Sequence, residues 1–137
     1  MLRRTLLSIA IPVAVAIFAL TLSGPVLGST QAVPKLKGIV GPGYSISLKS
    51  SNGTKVKTLK AGKYTFVISD KAAIHNFTLE QESGGKFEKT LTATGFTGTK
   101  TVTITLKKGR WKYYCSVHES TMFGFFTVTA TSGGGPY

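Results

Sequence analysis

Apolar and polar positions alternate with a period of two through much of the chain. In Tyr44-Ser45-Ile46-Ser47-Leu48, in Tyr64-Thr65-Phe66-Val67-Ile68 and in Thr101-Val102-Thr103-Ile104-Thr105-Leu106, large apolar residues fall on every second position. Side chains two apart leave a strand on the same side, so each run predicts a strand with one core face and one wet face. Turn-forming stretches separate the runs: Ser51-Asn52-Gly53, a hairpin cue, then Ala61-Gly62, Ser83-Gly84-Gly85 and Lys107-Lys108-Gly109. This pattern predicts strands near 36–40, 44–49, 54–59, 63–69, 74–81, 86–91, 100–106, 110–115 and 124–130, with some merging, and a short turn near 70–73. No stretch has a convincing helical period. Short, evenly spaced strands joined by Gly-rich turns predict an all-β antiparallel sandwich or barrel.

The first stretch follows a different pattern. Arg3 and Arg4 are followed by an apolar run from Leu6 to Leu22, and then by the small residues Gly24, Gly28, Ser29, Thr30 and Ala32. That is the order of a secretory signal: positive start, apolar centre, small-residue cleavage zone. The run is at the short limit for a membrane span. Residues 1–32 are therefore expected to be a signal peptide, cleaved after Gly28 or Ala32, or else an N-terminal membrane anchor. In either case the domain that follows, 33–131, is expected outside the cytoplasm, in a periplasmic or extracellular setting. The Gly-rich stretch 132–137 reads as a flexible tail.

The chain carries 17 basic and 5 acidic residues, for a formal charge of +12. Beyond Arg3 and Arg4 the only arginine is Arg110, and the remaining positive charge is lysine scattered along the domain. Nucleic-acid readers more often cluster their charge and use arginine, so no nucleic-acid partner is expected. A net positive field of this kind attracts acidic partners or an anionic surface.

Cys115 is the only cysteine, so no internal disulfide can form, and a lone thiol in an oxidising compartment calls for an explanation. After the N-terminal segment the chain contains two histidines, one cysteine and one methionine. All four fall into one pattern: His75, then Cys115-Ser116-Val117-His118-Glu119-Ser120-Thr121-Met122. Two imidazoles, a thiolate and a weak thioether are the ligand set of a type 1 copper site. The strand pattern puts His75 on one face with Phe77 and Leu79, inward at a strand start. It puts Cys115 on one face with Trp111 and Tyr113, inward at a strand end. His118 and Met122 follow on a loop.

His75-Asn76-Phe77, Tyr113-Tyr114-Cys115-Ser116-Val117-His118 and Met122-Phe123-Gly124-Phe125-Phe126 together resemble the cupredoxin family of plastocyanins, azurins, pseudoazurins and amicyanins. The resemblance covers essentially the whole domain. It implies a Greek-key antiparallel β-sandwich with one copper ion at one end, strong ligation by His75, Cys115 and His118, and axial ligation by Met122. It also implies that Asn76 ties the two ligand-bearing segments together near Ser116. The spacing from His118 to Met122 lies between those of plastocyanin-like and amicyanin-like loops, which leaves the axial bond length open.

Other chemistries fit the residues less well. A Cys115–His118 nucleophilic enzyme lacks an oxyanion loop and an orienting acid. Structural zinc prefers more cysteine and has little use for methionine. A copper carrier or scavenger would use the same four ligands, but such proteins often add exposed Met or His clusters, and this chain has none. The function expected is single-electron, outer-sphere transfer by a non-enzymatic monomer. His118 would face redox partner proteins, acidic at the docking site, inside an apolar rim of Val117, Phe123 and Pro42.

Overall fold

The computed structural model describes residues 31–131. The expected signal or anchor falls almost entirely outside them, as does the C-terminal tail. No helix among the described residues is long and apolar enough to cross a membrane.

Among the described residues nine strands form two facing sheets: β1 (Lys35–Val40), β2 (Ile46–Ser50), β3 (Thr58–Lys60), β4 (Gly62–Asp70), β5 (Phe77–Gln81), β6 (Glu88–Thr92), β7 (Gly98–Leu106), β8 (Gly109–Tyr114) and β9 (Phe123–Thr129). One sheet runs β2-β1-β4-β7 and the other β3-β9-β8-β5-β6. The predicted sandwich is present, with one difference. Two pairings are parallel, β1 with β4 and β3 with β9, so both sheets are mixed. Alternation reports which face of a strand is buried; strand direction depends on the path of the connections, which cross between the sheets.

The alternating runs became strands for the reason their pattern suggests. In β4, Tyr64, Phe66 and Ile68 point into the core, while in β7 Ile104 and Leu106 do so and Thr101, Thr103 and Thr105 face water. Thr65 and Thr103 join hydroxyls across the outer face at 3.2 Å. From the other side Trp111, Tyr113, Phe126, Leu79 and Phe77 fill the same core. Trp111 buries its ring and satisfies its indole N–H on the Lys107 carbonyl at 2.9 Å, as a buried indole needs.

Four predicted strands are shorter than expected, and β6 is so by a single residue. The run from Tyr44 begins its strand only at Ile46, and Tyr44 itself is exposed. The Ser51-Asn52-Gly53 turn forms, with Asn52 Oδ1 accepting from the Thr54 N–H at 3.1 Å and Gly53 at φ 87°. It closes only a single bridge, Lys49 to Lys55, before the chain crosses to pair β3 with β9 in the other sheet. The segment 71–76 is irregular, so His75 precedes β5 instead of opening it.

Candidate metal centre

His75, Cys115 and His118 converge at one end of the sandwich. Their donor atoms lie within 4.8 Å of one another. His75 Nδ1 is 3.1 Å from His118 Nδ1, and Cys115 Sγ is 3.9 Å from the first and 3.7 Å from the second. A point equidistant from the corners of that triangle lies about 2.1 Å from each, close to the bond length of a first-row metal ion to imidazole nitrogen and thiolate sulfur. Two borderline nitrogens and one soft sulfur in a trigonal set match the equatorial donors of a type 1 copper site. The cluster fits a single copper ion.

Each side chain reaches this point by a different route. His75 is carried by the irregular segment after β4, where its N–H bonds the Ala72 carbonyl at 3.0 Å. It is fully buried, and its Nε2 has no hydrogen-bond partner among the described residues. Asp70 Oδ2, on the strand end leading into the same segment, also lacks one. Cys115 follows β8, buried in line with Trp111 and Tyr113. Its loop is wound tightly back on itself. The His118 N–H bonds the Cys115 carbonyl at 3.1 Å, the Met122 N–H bonds the His118 carbonyl at 2.8 Å, and the Cys115 N–H bonds the Met122 carbonyl at 3.0 Å. Backbone hydrogen bonds therefore tie Cys115, His118 and Met122 to one another. Met122 is fully buried, and His118 is partly exposed.

Asn76 joins the two ligand-bearing segments. Its Nδ2 donates to Ser116 Oγ at 2.7 Å and to Thr94 Oγ1 at 3.3 Å, while its Oδ1 accepts from the Ser116 N–H at 2.8 Å. Its own backbone N–H points at Cys115 Sγ, 3.4 Å away. That N–H gives the sulfur a hydrogen-bond donor, the kind of outer-shell contact that holds a ligand in place. Thr94 was not singled out from the sequence, and no spacing signal could have found it, because it arrives from the turn after β6.

The sequence pattern also missed Tyr44. Its ring lies edge-on to both imidazoles, with centroid distances of 5.6 Å to His75 and 4.9 Å to His118. Alternation had placed it in a strand with Ile46 and Leu48; the Gly41-Pro42-Gly43 stretch before it was the overlooked sign of a loop.

On the outer face of β8, Tyr114 donates its hydroxyl to Glu88 at 2.7 Å, and Lys112 lies over its ring and pairs with Glu119. Burial first, and then the Glu88 carboxylate, push the Tyr114 phenol well above its usual range. Burial also raises that of Tyr113, partly offset by a hydrogen bond to the backbone of Leu48.

No family model matches the chain, and no curated protein does. Several solved structures are similar to part of it. Rusticyanin from Thiobacillus ferrooxidans is 23% identical with a TM-score of 0.43, over 69% of this chain and 76% of that one. Reduced rusticyanin is 20% identical with a TM-score of 0.43, over 69% and 78%. A variant of amicyanin in its reduced state is 15% identical with a TM-score of 0.43, over 69% and 82%. The fold is read from this chain's own two sheets. What the site can do rests on its own donor atoms.

Proposed function

We propose that this protein is an exported type 1 copper protein that carries single electrons between redox partners. His75 and His118 would hold the ion through Nδ1 and Cys115 through its thiolate, with the thioether of Met122 as a further weak donor. When held there, copper would supply one-electron chemistry between Cu(I) and Cu(II). The observation that carries this reading is the triangle of two Nδ1 atoms and one Sγ at the size of a metal's first shell.

The chain's own residues suit that task. The Asn76 hydrogen bonds to Ser116 hold the His75 segment against the Cys115 loop, and such outer-shell bonds keep ligands in place when the charge of the ion changes. Burial of His75, Cys115 and Met122 excludes water from the donors. His118 is the one partly exposed ligand, so electrons would pass through its edge. Ile74, Val117 and Phe123, each next to one of the proposed ligands in the chain, are exposed large apolar residues, at 55%, 53% and 46%, and Pro42 is exposed on the loop that meets His75. The only carboxylate on the ligand loop, Glu119, is paired with Lys112. An apolar rim within a strongly positive protein suits brief docking to a partner that is acidic around its own apolar contact.

We read the protein as non-enzymatic and monomeric. Its N-terminal segment would direct export to the periplasm or cell exterior, or tether the domain to a membrane there. The use of the same ligands to carry or scavenge copper is the competing role.

The test is the visible spectrum of the purified domain after addition of Cu(II), beside Cys115→Ser. An intense red-region band that vanishes in the variant is expected. A colourless protein, or weak bands indifferent to Cys115, would sink the reading.

A further inference from the structure

Tyr44 occupies an unusual position for an exposed aromatic. It is 65% exposed, yet its ring packs edge-on against both His75 and His118. The two imidazoles are themselves edge-to-face at 5.0 Å, so the three rings form one cluster, in which His75 is buried, His118 is partly exposed and Tyr44 is the most exposed.

The loop that carries it is built for this approach. The Gly41 N–H bonds the Ser45 carbonyl at 2.9 Å and the Ser45 N–H bonds the Gly43 carbonyl at 2.8 Å, which fixes the turn around Tyr44. Gly41 has φ 74°, and a Cβ there would stand 3.2 Å from His75 Cδ2 and from Ala72 Cβ. Only glycine suits both that backbone and that closeness. The loop thus lies directly on the buried histidine and delivers Tyr44 to the partly exposed one.

We propose that Tyr44 is a positioning and shielding residue of the metal centre. Its ring holds the His118 imidazole in its bound orientation and closes the path by which water, small anions or chelators reach the donors. Electrons can pass through a packed aromatic edge, whereas ligands cannot pass beneath it. The site would therefore stay open to redox partners and closed to exogenous ligands. The ring supplies this effect and the hydroxyl is dispensable.

The part of this proposal that concerns copper rests on the copper reading above, so the experiment has one arm with metal and one without. In the copper-loaded protein, azide is titrated against the visible spectrum and the rate of copper removal by a chelator is followed. Tyr44→Ala is expected to let azide alter the spectrum and to speed copper removal about tenfold, the scale of losing an outer-shell partner; Tyr44→Phe should match the parent. In the metal-free protein, diethyl pyrocarbonate labelling of His118 is read by peptide mass spectrometry. Tyr44→Ala, and to a lesser degree Tyr44→Leu, should label faster, with Tyr44→Phe unchanged. Equal labelling and equal copper removal in parent and Tyr44→Ala would overturn the proposal. If the parent never develops the red band, the copper reading fails, and the labelling arm alone decides whether Tyr44 shields His118. Tyr44 lies outside every strand, so these variants leave the sandwich intact.

Discussion

The two sheets differ in how they spend their polar residues. The β2-β1-β4-β7 sheet alternates regularly. Its outer face carries Lys35, Lys37, Lys49 and Lys63 with threonines between them, and none of these lysines forms an ion pair among the described residues. The β3-β9-β8-β5-β6 sheet departs from alternation at one end. There Asn76, Phe77, Thr78 and Leu79 are buried in succession, as are Tyr113, Tyr114 and Cys115. It also carries both ion pairs found among the described residues, Arg110–Glu82 and Lys112–Glu119. Consecutive burial means a strand end enclosed on both sides, where polar groups need partners. The first sheet is scaffold with a charged exterior; the second is where partnered polar groups build a site.

That contrast can be broken most severely at Asn76. Asn76→Ala removes both bonds to Ser116 and the bond to Thr94, leaving buried groups unsatisfied at a cost of about 1–3 kcal/mol. Urea unfolding of the metal-free protein should show this loss, and copper affinity should fall by about 10–100-fold. A polar-face change in the first sheet, such as Thr103→Ala, should leave copper affinity unchanged. Equal effects of the two variants would erase the distinction between the sheets.

Tyr114 sharpens the comparison through pH. At neutral pH Tyr114→Phe should cost about 1 kcal/mol for the lost bond to Glu88. The folded phenol titrates above the ordinary value of 10.0. The stability linked to it is therefore fully present below pH 10 and is lost as pH rises through the folded value. The gap between parent and variant should narrow above that pH in thermal melts. A gap that stays constant with pH would remove the coupling between burial, Glu88 and this phenol.

The smallest effect belongs to the first sheet. Lys37 and Lys49 stand directly opposite one another in the β1–β2 pair. Lys49→Glu replaces a like-charge pair with an opposite one, for a gain of about 0.2–1 kcal/mol that salt should erase. A gain that survives high salt would show that packing, not charge, limits this face.

Much of the fold was legible because burial on one side imposes a period of two. β1, β4, β7 and β8 fall within a residue or two of their predicted spans, and each has a clear apolar face. The candidate site was legible for a different reason. The chain has so few soft ligands that His75, Cys115, His118 and Met122 had to be considered together. Legibility failed where local pattern and tertiary position disagree. Tyr44 continues an alternation begun by Ile46 and Leu48, yet a turn lifts it out of the sheet and onto the histidines.

By itself, then, the sequence determined the strands, their inward faces and the set of atoms able to hold a metal, because these depend on residue type and short spacing. The tertiary structure alone decided the rest. It set the parallel pairings of β1 with β4 and β3 with β9, the approach of two Nδ1 atoms to 3.1 Å, the arrival of Thr94 beside Asn76, and the seat of Tyr44. Each of these joins segments far apart in the chain or turns on a loop's path, and their separation is set by how two sheets pack around a common core.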